Sequence, residues 1–460
     1  MKSSPMRTFL LTGIIIILLL LLHFIPVPVV GSITLRSVNI LSDILPEKNK
    51  DNEYIPQVKQ IAKIPYKEVC AKGITPILDY GYNINSSMSS FYDAIEKAQT
   101  SSQPVRIAYF SDSFIEGDIF TAELRDLLQA RYGGCGVGWV DCYSATSGFR
   151  KTVIEESSGF SPHSIISDKK NINKSLIGIN GKYFTTAQMA SVSMTGTKYS
   201  PFVSKWTVSS IYFKAPFGIH LSAMINGKTV KTFSQPASNS LQKVSIIQPK
   251  THIINWKISN VGGKQGHSTF YGVAQEGANG VTVDNFSFRG FSGVDLRMIS
   301  ANMLHDFQKQ RKYDLIIIHF GLNTLSNDNP SYFYAGYKKR MTNTINILKR
   351  SLPDVPFLIV SVSDRDDNDN GSMSTIKGVK ELVAYQQIMA SDTKSGYWNL
   401  FNAMGGEGSM RKLVEAKPAL ANKDYTHINF MGGRKLAHKL FDAINNGVNN
   451  NKKRKEYYQK

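Results

Sequence analysis

The sequence predicts an α/β fold, a three-layer αβα sandwich of flavodoxin-like type, interrupted by an inserted β-sandwich. Three apolar runs indicate the central sheet: VRIAYF from Val105, YDLIIIHFG from Tyr313 and VPFLIVSVS from Val355. Continuous apolar runs of this length are typical of parallel strands that are buried on both faces. A long stretch between the first and second runs has short strands and almost no helix signal, which indicates a separate β-structure.

Helical patterns follow or separate the three strands, as a layered α/β chain requires. IFTAELRDLLQARY follows the first strand and stops at a glycine, as helices often do. Further helices are predicted at Val294 to Gln310, Tyr334 to Arg350 and Met431 to Ile444. Together these segments predict helices on both faces of one parallel sheet.

The insert runs from about Gly148 to Gly280 and is rich in Ser, Thr and Gly, with short strands such as KWTVSSIYFKA and THIINWKIS. We interpret it as a β-sandwich of jelly-roll type. Its aromatic residues can either line a sugar-binding face or fill the core, and the core is favoured for each. They are Tyr183, Phe202, Trp206, Tyr212, Phe213 and Trp256.

The N-terminus has the pattern of a membrane segment. No charged residue occurs between Arg7 and Arg36, and Phe9 to Ile25 is almost wholly apolar, about long enough for one transmembrane helix. Because Lys2 and Arg7 precede the apolar run, the positive-inside rule predicts a single-pass inner-membrane protein with everything after Gly31 on the periplasmic side. A cleaved signal peptide is the alternative, and it exports the same part.

The predicted organisation has seven parts. They are a cytoplasmic N-terminus at 1–7, a transmembrane signal anchor at 8–30, a stalk leading into the first domain at 31–103, the first part of the α/β domain at 104–147, the insert at 148–280, the second part of the α/β domain at 281–446, and a solvated basic tail at 447–460.

Composition excludes several classes of protein. With 460 residues, 42% of them hydrophobic, the chain can bury a large core and is not a disordered protein. The formal net charge is +19, but the basic residues are scattered and no nucleic-acid-binding motif is present, so we expect no nucleic-acid partner. Cys135 and Cys142 can pair or stay reduced, with Cys70 left over. We expect no metal site and no cofactor, because no cysteine or histidine has ligand spacing.

Candidate catalytic residues lie where the predicted strands end. Ser113 follows the first strand in a strand-to-helix turn, where backbone N–H groups can receive an oxyanion. Asn323 follows the second strand, and its carboxamide can donate to the same oxyanion. Asp424 and His427 precede the last helix, and their spacing lets the carboxylate orient the imidazole that takes the serine proton. Asp112 is expected to hold the turn.

This order of residues resembles the SGNH (GDSL-like) hydrolases. FSDSFIEGDIF is similar to the first sequence block of the bacterial peptidoglycan O-acetylesterases, DNFSFRGFSGVDL to the second, HFGLNT to the third, and LANKDYTHINFMGGRKLA to the C-terminal portion. The resemblance implies a triad of Ser113, Asp424 and His427, and an oxyanion hole of Ser113, Gly290 and Asn323. It also implies that the β-module inserted between the first two blocks is of carbohydrate-binding-like type.

The activity implied by the resemblance is removal of small acyl groups, acetyl above all, from a cell-envelope glycan, most simply peptidoglycan. The expected partner is therefore an acetylated cell-wall glycan. Two alternatives stay open: an O-acetyltransferase on the same fold, which needs the same triad, and a non-catalytic glycan-binding envelope protein in which the β-module carries the function.

Overall fold

The computed structural model describes residues 9–14, 18, 29–30, 33–34, 66–81, 87–186, 189–260, 268–369 and 372–459. The chain divides into two units, 1–54 and 55–460. In the first, residues 9–14 form helix α1, and strand β1 (Val29–Val30) pairs antiparallel with β2 (Ile33–Thr34). Most of the predicted anchor at 8–30 lies outside the described residues. Within those residues, no helix has the length and apolar character needed to cross a membrane.

The second unit contains the remaining strands and helices. Its strands are β3 (Ile77–Asp79), β4 (Val105–Ser111), β5 (Gly138–Val140), β6 (Val153–Ser158), β7 (Ser161–Ser164), β8 (Lys182–Thr186), β9 (Met189–Gly196), β10 (Trp206–Ala215), β11 (Ile219–Ile225), β12 (Lys228–Gln235), β13 (Ser238–Thr251), β14 (Ile253–Asn260), β15 (Ser268–Glu276), β16 (Val281–Ser287), β17 (Leu315–His319), β18 (Phe357–Val360), β19 (Asp366–Asp369), β20 (Ser372–Thr375) and β21 (Gly396–Trp398). Its helices are α2 (Ser89–Glu96), α3 (Thr121–Tyr132), α4 (Ala301–Gln310), α5 (Ser331–Ser351), α6 (Gly378–Asp392), α7 (Leu400–Met404), α8 (Ser409–Glu415) and α9 (Phe430–Gln459).

A six-stranded sheet in the order β16-β4-β17-β18-β21-β3 forms the centre of the α/β domain. Its first five strands are parallel, and β3 pairs antiparallel with β21 at one edge. Taken in chain order, the parallel strands have the flavodoxin-like arrangement 2-1-3-4-5. Helices α2, α3 and α9 pack together, and α4, α5 and α6 form a second group. The predicted three-layer α/β sandwich is confirmed.

The inserted module consists of two antiparallel sheets, as predicted. One has the order β13-β10-β15-β8-β7 with β5 added to β15, and the other has the order β12-β11-β14-β9-β6. Five of the six aromatic residues considered above are buried, and Phe202 is half-buried. The favoured interpretation of these rings as core is therefore confirmed for the five buried ones, and they present no sugar-binding face.

A buried ionic network joins the module to the α/β domain. Glu276 ends the module strand β15 and accepts hydrogen bonds from Arg106 on β4, at 2.8 and 2.9 Å. Arg311, which follows α4, binds both Glu276, at 3.0 Å, and Asp284 on β16, at 2.7 Å. These charges are almost wholly buried, so removing one partner would leave its neighbour unpaired at high cost. The network therefore fixes the module against the central sheet.

The structure corrects the predicted tail at 447–460. Helix α9 continues from Phe430 to Gln459, far beyond the predicted end at Ile444. Arg454 is buried and pairs with Glu68 at 3.1 Å, and Asn451 donates to Asp93 at 2.8 Å. The charged, Asn-rich composition indicated a solvated end. That prediction was wrong because the partners that bury these residues lie more than 350 residues earlier in the chain, where no local pattern reveals them.

Two further boundaries differ from the prediction. The stalk at 31–103 was too long, because β3 and α2 already belong to the α/β domain. The module begins before Gly148, since β5 joins its sheet. β3, α2 and β5 are short elements held by contacts with distant segments, and local patterns do not reveal such contacts.

Candidate active site

Three adjacent parallel strands bring the predicted site residues to one edge of the sheet. Ser113 lies two residues beyond β4, Gly290 three residues beyond β16, and Asn323 four residues beyond β17. Because β16, β4 and β17 are neighbours and parallel, their carboxyl ends meet. The β4–β17 pair is also the point where the strand order reverses, the usual ligand site of open α/β sheets.

Ser113, His427 and Asp424 form a continuous hydrogen-bonded chain. The Ser113 Oγ lies 2.9 Å from His427 Nε2, and His427 Nδ1 lies 2.8 Å from Asp424 Oδ2. With the Nδ1 proton donated to the carboxylate, Nε2 is left to accept the serine proton, which is the arrangement of a serine-hydrolase triad. Ser113 and His427 are half-buried, so a substrate can reach them.

The turn that begins at Ser113 is held from both ends. Asp112 caps the 3₁₀ turn Ser113–Asp118 by accepting from the Phe114 N–H at 3.0 Å, which confirms its expected role in holding the turn. Gly117 and Asp118 both have positive φ, at 63° and 66°. The strained Asp118 is kept in place by many donors, because its buried carboxylate accepts from Thr121, Thr152, Arg125, Arg150 and Asn285.

The loop that carries Asp424 and His427 is closed by the bridge between Ala421 and Ile428. Besides the ring of His427, Asp424 accepts from the backbone N–H groups of Thr426 and His427, both at 3.0 Å. Burial acts to raise the pKa of Asp424, but these hydrogen bonds outweigh it and hold the pKa below its ordinary value. Asp424 is therefore ionised over the whole neutral range.

The two other predicted oxyanion donors have different surroundings. Gly290 is exposed, has a φ of 71°, and its N–H has no acceptor among the described residues. The Asn323 Nδ2 donates to Asp112 Oδ2 at 3.1 Å and to the Phe291 carbonyl at 3.3 Å. Gly290 thus presents a donor without an acceptor among the described residues, whereas Asp112 holds Asn323 beside the turn that begins at Ser113.

Burial raises the pKa of Asp112 to about 7, although its hydrogen bonds from Phe114 and Asn323 and the nearby His427 act to lower it. The ordinary value is 3.8, so between about pH 4 and pH 7 the folded chain binds more protons than the unfolded chain. In that window, the ionisation of Asp112 therefore lowers the free energy of unfolding as the pH rises.

Replacing Asp112 by Asn should remove that dependence. We expect the melting temperature of Asp112→Asn, relative to the wild-type protein, to rise steadily between about pH 4 and pH 7, because the variant no longer buries an ionising carboxyl. Thermal unfolding followed by circular dichroism at several pH values measures it. A difference between the two proteins that stays constant with pH would contradict the role assigned to burial.

The comparisons with known proteins give a structural match over most of the chain. No protein-family model matches the chain, and no curated protein matches it in sequence. The structure of a peptidoglycan O-acetylesterase covers 81% of this chain and 99% of its own, with a TM-score of 0.64 and 22% identity. The chain has the SGNH-hydrolase fold.

Two further solved structures match with much lower overlap. The salicylyl-acyltransferase SsfX3 covers 66% of this chain and 95% of its own at 12% identity, with a TM-score of 0.28. A family two carbohydrate esterase from Clostridium thermocellum covers 64% and 99% at 11% identity, also with a TM-score of 0.28. Their TM-scores are too low to bear on this SGNH domain.

Local sequence patterns do not reveal several residues around the candidate site. Asp118 forms buried ion pairs with Arg125 and Arg150. Its only sequence signal is its place at the end of SFIEGD, within the stretch that is similar to the first sequence block. The Asp112–Asn323 hydrogen bond joins two loops more than 200 residues apart, and no local pattern indicates it.

The three cysteines are free, so the Cys135–Cys142 disulfide that was left open does not form in this structure. No group of three or more His, Cys, Asp or Glu side chains within the described ranges is placed to hold a metal ion.

Proposed function

We propose that this chain is a serine esterase that removes acetyl groups from a cell-envelope glycan, with peptidoglycan as its substrate. The observation that carries the proposal is the hydrogen-bonded chain from Ser113 Oγ through His427 to Asp424. Such a chain, at the carboxyl edge of an α/β sheet and beside a free backbone donor, suits attack on an ester carbonyl.

The mechanism follows from this geometry. His427 takes the proton of Ser113 as its Oγ attacks the carbonyl carbon, and Asp424 stabilises the imidazolium that forms. In the proposed oxyanion hole, the N–H groups of Ser113 and Gly290 and the carboxamide of Asn323 donate to the tetrahedral oxygen. His427 then protonates the departing sugar oxygen, and a water molecule, deprotonated by His427, releases acetate from the acyl-serine.

The substrate assignment has separate support. The solved structure with a TM-score of 0.64 is that of a peptidoglycan O-acetylesterase, and the match spans nearly its whole length. This chain also carries a β-module that buried ion pairs join to the α/β domain. We therefore extend the acetylesterase function to this chain as a proposal.

Acetate release tests the proposal directly. The purified full-length protein should release acetate from O-acetylated peptidoglycan without any added acceptor sugar. Release only when an acceptor is present would indicate an O-acetyltransferase instead. Binding to the glycan without acetate release, by a protein that also fails to hydrolyse 4-nitrophenyl acetate, would indicate a non-catalytic binding protein.

We also propose that the N-terminal segment at 8–30 anchors the chain in the inner membrane, with the SGNH domain in the periplasm. The support is the uncharged span after Arg7 together with Lys2 and Arg7 before it. We expect alkaline phosphatase fused after Lys460 to be active in intact cells, because it folds only after export. An inactive phosphatase fusion, with a fluorescent cytoplasmic reporter at the same position, would contradict this topology.

A further inference from the structure

A cleft of about 440 Å³ lies between the SGNH domain and the β-module. One wall comes from the turn that begins at Ser113, through Glu116, and from Arg289, two residues beyond β16. Glu116 follows Ser113 by three residues, and Arg289 directly precedes Gly290. The cleft therefore begins beside the catalytic edge and extends along the module, whose β6, β7 and β8 form its other wall.

The cleft is rich in charges, and most of them neutralise one another. Its ion pairs are Glu116 with Arg289, Asp118 with Arg150, and Asp141 with Lys182. A cleft lined by paired charges attracts a strongly charged polymer only weakly, but it presents many fixed donors and acceptors at close range. Such a lining suits a neutral, hydroxyl-rich ligand.

Glu155 is the exception among these charges. It lies on β6 at the same inward-facing register as the buried Val153, whereas its neighbour Glu156 faces solvent. Its carboxyl has no hydrogen-bond or ion-pair partner among the residues that the structure describes. Burial raises the pKa of Glu155 to about 7, although Arg150 acts to lower it. A partly buried acceptor without a donor gains most when a ligand supplies one.

We propose that this cleft binds a saccharide unit adjoining the acetylated sugar, with Glu155 accepting hydrogen bonds from its hydroxyl or amide groups. Tyr143, which borders the cleft and is 43% exposed, supplies an aromatic face for the apolar side of the sugar ring. A volume of about 440 Å³ lies in the range of small-ligand sites. The inference deepens the proposed esterase function and rests on it.

The cleft is also preorganised, which favours binding. The buried network of Arg106, Glu276 and Arg311 fixes the module against the central sheet, so the two walls cannot drift apart freely. A site that is already held in shape spends little of the binding free energy on ordering itself. The glycan chain can thus be placed with its acetyl ester at Ser113 while the adjoining sugar lies in the cleft.

The test compares a glycan substrate with a small ester in the full-length protein. For each variant, kcat/KM is measured on an O-acetylated disaccharide of N-acetylglucosamine and N-acetylmuramic acid, and on 4-nitrophenyl acetate. We expect kcat/KM for the disaccharide, divided by kcat/KM for 4-nitrophenyl acetate, to fall about tenfold in Glu155→Gln and about three- to tenfold in Tyr143→Ala. The fall should come from a higher KM for the disaccharide. The matched control Glu156→Gln makes the same charge change on the outward face and should leave the ratio unchanged.

A binding experiment separates this inference from the proposed function. In the Ser113→Ala background, titration calorimetry with the same disaccharide lacking its acetyl group should give a Kd about tenfold higher for Glu155→Gln than for Glu156→Gln. If the wild-type protein cleaves 4-nitrophenyl acetate but not the acetylated disaccharide, the proposed function is wrong. The titration still shows whether the cleft binds the saccharide through Glu155. Equal Kd values for the two variants, or no binding of the disaccharide at all, would overturn the inference.

Discussion

Ser113→Ala is expected to lower kcat for ester hydrolysis by about 10⁶-fold while leaving the fold unchanged, because the variant lacks the atom that attacks the carbonyl. The hydroxyl is half-buried and its one described partner is His427, at 2.9 Å. Its loss therefore leaves no buried donor or acceptor stranded in the core. Steady-state hydrolysis of 4-nitrophenyl acetate and the melting temperature, measured on one preparation, check both parts of the prediction.

Ser111→Ala is the matched control for the nucleophile. Ser111 lies two residues earlier, at the end of β4, where its buried Oγ has no hydrogen-bond partner among the described residues. Its removal should leave kcat within about twofold, since its hydroxyl has no hydrogen bond to Ser113, Asp424 or His427. A sulfonyl fluoride reagent should label Ser113, and mass spectrometry that placed the adduct on Ser111 would shift the nucleophile by two residues.

If Ser113, His427 and Asp424 act as one triad, as proposed, the double variant Ser113→Ala/His427→Ala should be scarcely slower than Ser113→Ala alone. An additive loss in the double variant would mean that His427 contributes by a route independent of Ser113. Activity within about tenfold of wild type in Ser113→Ala itself would remove the proposed nucleophile.

The central sheet was predictable because its strands are buried on both faces. The runs from Val105 and Tyr313 contain almost no polar residue, and a purely local pattern is enough to identify such strands. The end of α9 was not predictable in this way. Its Asn450, Asn451 and Arg454 are buried through contacts with residues 68–93, so tertiary partners override a composition typical of a solvated segment.

The residues of the candidate site also divide into those that local sequence predicts and those that it does not. Ser113, Asn323 and the Asp424–His427 pair follow predicted strands or precede a predicted helix, so topology alone brings them towards one edge. Gly290 was identified only through the family resemblance, because a single glycine after a strand carries no chemical signal of its own. Its positive φ and unpaired N–H become visible only in the structure.

Asn323 Nδ2 has two hydrogen-bond acceptors in the structure, and the lengths of the two bonds indicate which acceptor an oxyanion can replace. Asn323 Nδ2 is held by Asp112 at 3.1 Å, and its longer bond, 3.3 Å to the Phe291 carbonyl, is the weaker of the two. We infer that the developing oxyanion takes the place of the Phe291 carbonyl, since a charged acceptor is the stronger partner. The Asp112 contact then keeps the carboxamide in place throughout the reaction.

Asn323→Ala should therefore lower kcat by about 10²–10³-fold, equivalent to about 3–4 kcal/mol, with little change in KM, because that bond strengthens only in the transition state. Asn329→Ala is the matched control: its Nδ2 donates to the Thr324 carbonyl at 2.8 Å within the same loop. That change should cost about 1 kcal/mol of stability and leave kcat of the folded enzyme nearly whole. If Asn323→Ala instead behaves like this control, with a lowered melting temperature and a normal kcat, Asn323 only holds the loop and the oxyanion depends on backbone donors alone.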